Sequence, residues 1–171
     1  MSKFKVGDRV VSTFFQTWTG GRIPPDASRN SLGGQLDGVL AEYIALSQNG
    51  AIRIPDHLSF EEAATLPCAA LTNALVETGR IKSGETVAFL GTGGVSCFGI
   101  SFAKMHGACV FLTSSSDAKL ERGKGLGADS LVNYKSVPDW DKEILKRTDG
   151  VGVDHVVEVG GANTLEKSMN A

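Results

Sequence analysis

The spacing of apolar and polar residues changes character near residue 84, and the change divides the chain into two textures. Residues 6–15 alternate around Gly7-Asp8, which predicts a strand. Residues 19–34 are rich in Gly, Pro, Ser and Asn and predict a long exposed loop, a length that in a compact domain is usually functional or mobile. Two further short strands are expected at 39–44 and 51–54. Ser59-Phe60-Glu61-Glu62 then forms a capping box opening a helix near Glu61. The first segment therefore reads as β-rich.

Beyond Ser83-Gly84 the pattern becomes strand, glycine cluster, helix. An apolar run at 86–90 precedes a helical stretch at 95–105, which Gly107 is placed to end. The unit repeats with a strand at 109–113, a helix at 117–126 closed by Gly127, a strand at 131–133, a helix at 140–147 and a strand at 153–159. Alternation on this length scale predicts an α/β fold, a doubly wound parallel sheet covered on both faces. Only four strands precede a last helical stretch, where a full dinucleotide-binding domain has six, so the sheet is expected to be incomplete. The organisation expected is residues 1–80 as the β-rich part with a connecting helix, and residues 81–171 as the dinucleotide-binding part.

Composition narrows the function classes. The 171 residues are 42% hydrophobic and 21% charged, enough apolar content for a core. Seventeen basic against nineteen acidic side chains give a net charge of −2 with no basic run, which argues against nucleic acid as a partner. No apolar stretch is long enough to span a bilayer, and the polar N-terminus lacks a signal-peptide core. Three cysteines without paired spacing, Cys68, Cys97 and Cys109, fit a reducing compartment, and the expected location is cytoplasmic.

The most informative stretch is Gly91-Thr92-Gly93-Gly94-Val95-Ser96, between a buried strand and a helix. Gly91 allows a tight turn, Gly93 lets backbone N–H groups approach a pyrophosphate, and the helix N-terminus supplies partial positive charge. Ser96 stands where the third glycine of the pattern is expected, which predicts a slightly looser helix–strand contact that Gly99 could restore. At the end of the second strand, NAD-binding folds place an Asp or Glu on the ribose 2′-hydroxyl, and this chain has Ser114. Ser114, Ser115 and Ser116 offer hydroxyls and N–H donors, and Lys119 follows a turn later. Lys119 alone reads as a solvated helix lysine; the absent carboxylate turns it toward a 2′-phosphate, favouring NADP(H) over NAD(H).

Ala63-Ala64-Thr65-Leu66-Pro67-Cys68-Ala69-Ala70-Leu71-Thr72, the glycine turn, Gly127-Ala128-Asp129, Val132-Asn133-Tyr134 and Gly152-Val153-Asp154-His155-Val156-Val157-Glu158-Val159-Gly160-Gly161 together resemble the medium-chain dehydrogenase/reductase superfamily. Among its branches the chain is most similar to the quinone-reductase-like and zinc-binding alcohol dehydrogenase-like oxidoreductases. The resemblance implies a GroES-like domain before a Rossmann domain, a small-molecule substrate and a possible homodimer. It also implies that Thr72 contacts the nicotinamide side, Gly93, Gly94 and Val95 the pyrophosphate, Ser115, Lys119 and Tyr134 the 2′-phosphate region, and Val159 and Gly160 the far strand. Tyr134 stands equally as a half-buried packing aromatic.

Departures from the family shape the expectations. Family members carry a zinc-ligand segment before the Lys5-Val6-Gly7-Asp8-Arg9-Val10 element, so the chain is expected to be cut short at both ends. Cys68 matches a third zinc-ligand position but lacks two partners, and we read it as a buried, inert thiol; no zinc is expected. His57, His106 and His155 are dispersed and read as structural, as do the strand-flanking Asp154 and Glu158. No catalytic residue is identified. The sequence thus supports a hydride-transferring oxidoreductase, with a shortened, non-catalytic nucleotide-binding or interaction module of the same lineage as the alternative.

Overall fold

The computed structural model describes residues 3–70 and 73–171. The chain divides into two compact units, Met1–Cys68 and Ala69–Ala171.

In the first unit β1 (Val10–Ser12) pairs antiparallel with β2 (Ala51–Arg53), Val11 opposite Ile52. Asp8 closes the ladder's end with a 2.6 Å ion pair to Arg53. The buried Gln16 amide donates to the carbonyls of Thr13 at 2.8 Å and Gly50 at 3.2 Å, tying the strand exit to the β2 entry. Ser59 caps α1 (Phe60–Ala64) in a reciprocal capping box with Glu62, as its sequence predicts. Two expectations need correction. The strand expected at 6–15 contracts to three residues, and 39–44 is not a strand. A strand needs a ladder partner for its N–H and C=O groups, and among the described residues none runs beside 39–44. Leu40 and Tyr43 there are almost fully exposed. The short helix α2 (Leu66–Ala69) follows α1 in sequence.

The second unit is built on a parallel sheet of order β5-β4-β3-β6, formed by β3 (Thr86–Leu90), β4 (Cys109–Ser114), β5 (Ser130–Asn133) and β6 (His155–Val157). Parallel neighbours need helical crossovers, supplied by α3 (Gly94–Met105), α4 (Asp117–Gly125) and α5 (Trp140–Arg147), and α6 (Ala162–Asn170) follows β6. The period of two along β3 splits its side chains between two cores. Val87 and Phe89 join Ile100 and Ala103 of α3 and Leu120 of α4 on one face. Ala88 and Leu90 join Phe111, Val132, Trp140 and Ile144 of α5 on the other. Seen from β3, the chain moves outward to β4 and β5 and then crosses back to β6. The reversal between β3 and β6 opens a crevice at the carboxyl ends of the strands, the point where open α/β sheets bind ligands.

Close approach of helix to sheet depends on a missing side chain. A Cβ on Gly99 would sit 2.1 Å from the Phe89 ring, so α3 seats on β3 only because residue 99 is glycine. Gly99 thus provides the close packing expected of it.

Candidate functional site

The turn after β3 begins at Gly91, whose N–H donates to Thr113 O at 2.8 Å, joining the ends of β3 and β4. Its φ of +72° belongs to the left-handed region, where glycine carries no Cβ penalty. Gly93 caps α3 with φ −76° and ψ 174°, backbone that any residue adopts. A Cβ built on Gly91 or Gly93 would meet no atom within 4 Å, and one on Gly94 would touch Ala69 Cβ at 3.5 Å. The protein thus leaves the space over Gly91 and Gly93 open. The first intrahelical bond of α3 is Cys97 N–H to Gly93 O at 3.0 Å, so the N–H groups of Gly94, Val95 and Ser96 come before the ladder begins. Open space beside a helix N-terminus fits an anion such as a pyrophosphate.

Ser96, where the pattern calls for a third glycine, is 1% exposed and donates from Oγ to Leu90 O at 3.0 Å. This corrects the expected loosening: the hydroxymethyl group ties the first turn of α3 to the last residue of β3. A hydrogen bond compensates for the extra volume at the contact.

Beside the turn a cleft of about 370 Å3 is lined by Leu90, Gly91, Thr113, Tyr134, Pro138, Trp140, Val159, Gly160, Asn163, Thr164 and Lys167. Of the residues singled out from the sequence, it brings together Gly91, Tyr134, Val159 and Gly160. Gly93, Gly94 and Val95 form the adjoining helix start. Ser115 and Lys119 lie around the start of α4, with Lys119 exposed. Ser114 is 3% exposed, so it offers no hydroxyl to the open rim; its carbonyl accepts the Tyr134 N–H at 3.0 Å. Thr72 lies outside the described residues. The α5 and α6 residues of the cleft, Trp140, Asn163, Thr164 and Lys167, carry no motif, and only the fold back of those helices gathers them.

The acidic residues near the strand ends are held in place by backbone donors. Glu158 accepts from the N–H groups of Gly160 at 2.6 Å and Gly161 at 2.8 Å, from Thr164 Oγ1 at 2.7 Å and from Ser168 Oγ. Burial would raise its pKa, but these donors outweigh burial and lower it, so Glu158 fastens the start of α6 as an anion. At the opposite end of β6, Asp154 takes two bonds from Thr86, at 2.7 Å from N–H and 2.8 Å from Oγ1, which lower its pKa. His155 pairs with Glu85 at 3.0 Å, and His106 Nδ1 lies 2.9 Å from Phe102 O at the end of α3. None of these groups borders the cleft.

Cys68 requires a correction, because it is exposed rather than buried. Its place in the four-residue α2 leaves its thiol at the surface. Among the described residues no three His, Cys, Asp or Glu side chains converge as a metal would require.

Comparison with known proteins follows the same lines. Residues 94–171 match the family model for zinc-binding dehydrogenases. A zinc-type alcohol dehydrogenase-like protein of Schizosaccharomyces pombe is 47% identical over 170 residues, 97% of this chain and 49% of that protein. The solved structure of an NAD-dependent alcohol dehydrogenase is 35% identical with a TM-score of 0.85, over 99% of this chain and 52% of that one. A mycobacterial structure complexed with NADPH is 29% identical with a TM-score of 0.65, over 70% of this chain and 38% of that one. The chain spans about half the length of the first two of these relatives. With a parallel sheet of reversing strand order, a glycine turn opening α3 and these likenesses, the chain belongs by lineage to the zinc-binding dehydrogenases of the medium-chain dehydrogenase/reductase superfamily, a lineage of oxidoreductase enzymes.

Proposed function

We propose that the chain binds NADP(H) in preference to NAD(H), as part of an enzyme that moves a hydride between that cofactor and a small carbonyl, alcohol, quinone or enone substrate. The observation that carries this reading is the open space over the Gly91–Gly93 turn at the strand-order reversal, next to a strand end that has Ser114 in place of a carboxylate. Gly93, Gly94 and Val95 would take the pyrophosphate, and Val159 and Gly160 would meet the cofactor from the far strand. Ser115, Lys119 and Tyr134 would meet the 2′-phosphate, and Thr72 the nicotinamide side. When bound, the cofactor supplies the hydride chemistry, and the chain's own groups bind and orient it. Likeness to proteins named for NAD and for NADPH supports a nicotinamide cofactor in general. The choice of NADP(H) rests on Ser114 and Lys119.

We propose further that this chain works without zinc, since among the described residues the exposed Cys68 lacks the two co-ligands that a catalytic zinc with an open position needs. The three free thiols support a reducing, cytoplasmic setting.

Fluorescence titration of the 171-residue chain with NADPH and with NADH tests the cofactor assignment. Tighter NADPH binding is expected. Equal or tighter NADH binding overturns the roles given to Ser115 and Lys119, and no binding of either refutes the site.

A further inference from the structure

One wall of the cleft is a helix together with the loop that leads into it. Five of the eleven lining residues, Val159, Gly160, Asn163, Thr164 and Lys167, come from the segment after β6 and from α6. Positions 163, 164 and 167 fall on one side of a helix, so a single face of α6 meets the cleft. The loop brings little of its own to hold that face in place. Gly161, the N-cap of α6 at φ 85°, makes no side-chain capping bond.

Glu158, directly after β6, takes over that task. Its Oε1 accepts from the N–H groups of Gly160 at 2.6 Å and Gly161 at 2.8 Å and from Thr164 Oγ1 at 2.7 Å, and its Oε2 accepts from Ser168 Oγ one turn further along α6. The loop and the first turn of α6 are in close contact, since a Cβ on Gly160 would collide with Thr164 Oγ1. Gly160 and Thr164 line the cleft, whereas Glu158 and Ser168 do not. One carboxylate thus gathers two cleft residues without bordering the cleft itself. A second tie runs from Lys167 Nζ to Pro138 O, joining two further cleft residues across the space between α6 and the start of α5.

Such a wall acts on affinity through order. If its binding arrangement is held only a fraction of the time, every ligand of the cleft weakens by that fraction.

We propose that Glu158 is a positioning residue of the cofactor site, which preorganises the cleft wall by holding Gly160 and Thr164 in one arrangement. The role rests on the reading above that this cleft takes a nicotinamide dinucleotide. Because Glu158 acts through the placement of the wall and does not touch the ligand, NADPH and NADH are affected alike.

The test uses the full chain and the variants Glu158→Ala, Glu158→Gln and Glu158→Asp, with Asp154→Ala as control, each melted and each titrated with NADPH and NADH well below its Tm. In Glu158→Ala both cofactors are expected to weaken about tenfold, the loss given by a wall in place about one-tenth of the time. Glutamine keeps an acceptor oxygen for Gly160, Gly161 and Thr164, so Glu158→Gln stays within about twofold of the parent. Aspartate, one methylene shorter, draws the carboxylate back from α6 and weakens both cofactors about threefold; it decides the matter where the alanine variant fails to fold. Asp154→Ala removes the acceptor of two Thr86 bonds at the opposite end of β6, so Tm falls while affinity is unchanged. Parent-like affinity in a folded Glu158→Ala or in Glu158→Asp overturns the proposal. So does a Glu158→Gln as weak as the alanine variant, or an Asp154→Ala that weakens the cofactors as much, which marks general loss of stability. A parent that binds neither cofactor refutes instead the reading of the cleft as a dinucleotide site.

Discussion

Replacing Gly93 with valine separates a ligand hollow from a structural turn. Gly93 has φ −76° and ψ 174°, and a Cβ there meets no protein atom within 4 Å, so valine brings neither backbone strain nor a clash. The folding cost comes from a poorer N-cap, about 0.5–1 kcal/mol. For a chain of this length that lowers Tm by only about 1–4 °C. The ligand meets a different situation. A branched side chain would fill the space through which the N–H groups of α3 reach a phosphate, and a hydrogen bond to a charged group contributes about 1.5–3 kcal/mol. Losing one such bond weakens NADPH at least about tenfold, roughly 1.4 kcal/mol. Gly91→Val serves as the contrast, because φ of +72° makes any β-branched residue there strained by about 1–3 kcal/mol, and its Tm should fall further. Thermal melts and cofactor titration of both variants provide the assay. If Gly93→Val binds NADPH as the parent does, the cradle lies elsewhere and the site assignment is wrong.

Removing the buried Ser96 hydroxyl leaves Leu90 O without that donor, so Ser96→Ala should cost about 1–2 kcal/mol and lower Tm by about 2–8 °C. An unchanged Tm would show that the tie between α3 and β3 contributes nothing. Asp154 has its pKa lowered from 3.8 by its bonds to Thr86, so its contribution is full above about pH 4 and is lost as pH falls through the folded-state pKa. Melts at pH 7 and pH 3 should therefore show a smaller acid-induced drop in Asp154→Asn than in the parent, and equal drops contradict the assignment. Elemental analysis of the purified chain should find no stoichiometric zinc; one tightly held zinc per chain would mean that the ligand set has been misread.

What the sequence determined by itself are the features carried by neighbours along the chain. The capping box at Ser59, the glycine turn between an apolar strand and a helix, and the alternation that makes a parallel α/β sheet all arise within a few residues, where local backbone preference and side-chain period dominate. Strand order, cleft and pairing partners depend on contacts between residues far apart in the chain, and there only the tertiary structure decides. Residues 39–44 carry a strand's apolar pattern, yet a pattern cannot supply the hydrogen-bonding neighbour that a strand requires. Ser96 seemed a loosening substitution until the fold brought its hydroxyl to Leu90 O. Cys68 reads as a buried thiol and is exposed, in a four-residue helix none of whose residues is buried. Trp140, Asn163, Thr164 and Lys167 became cleft residues through the placement of α5 and α6 after the chain crosses back to β6, an event of topology that leaves no mark on their spacing.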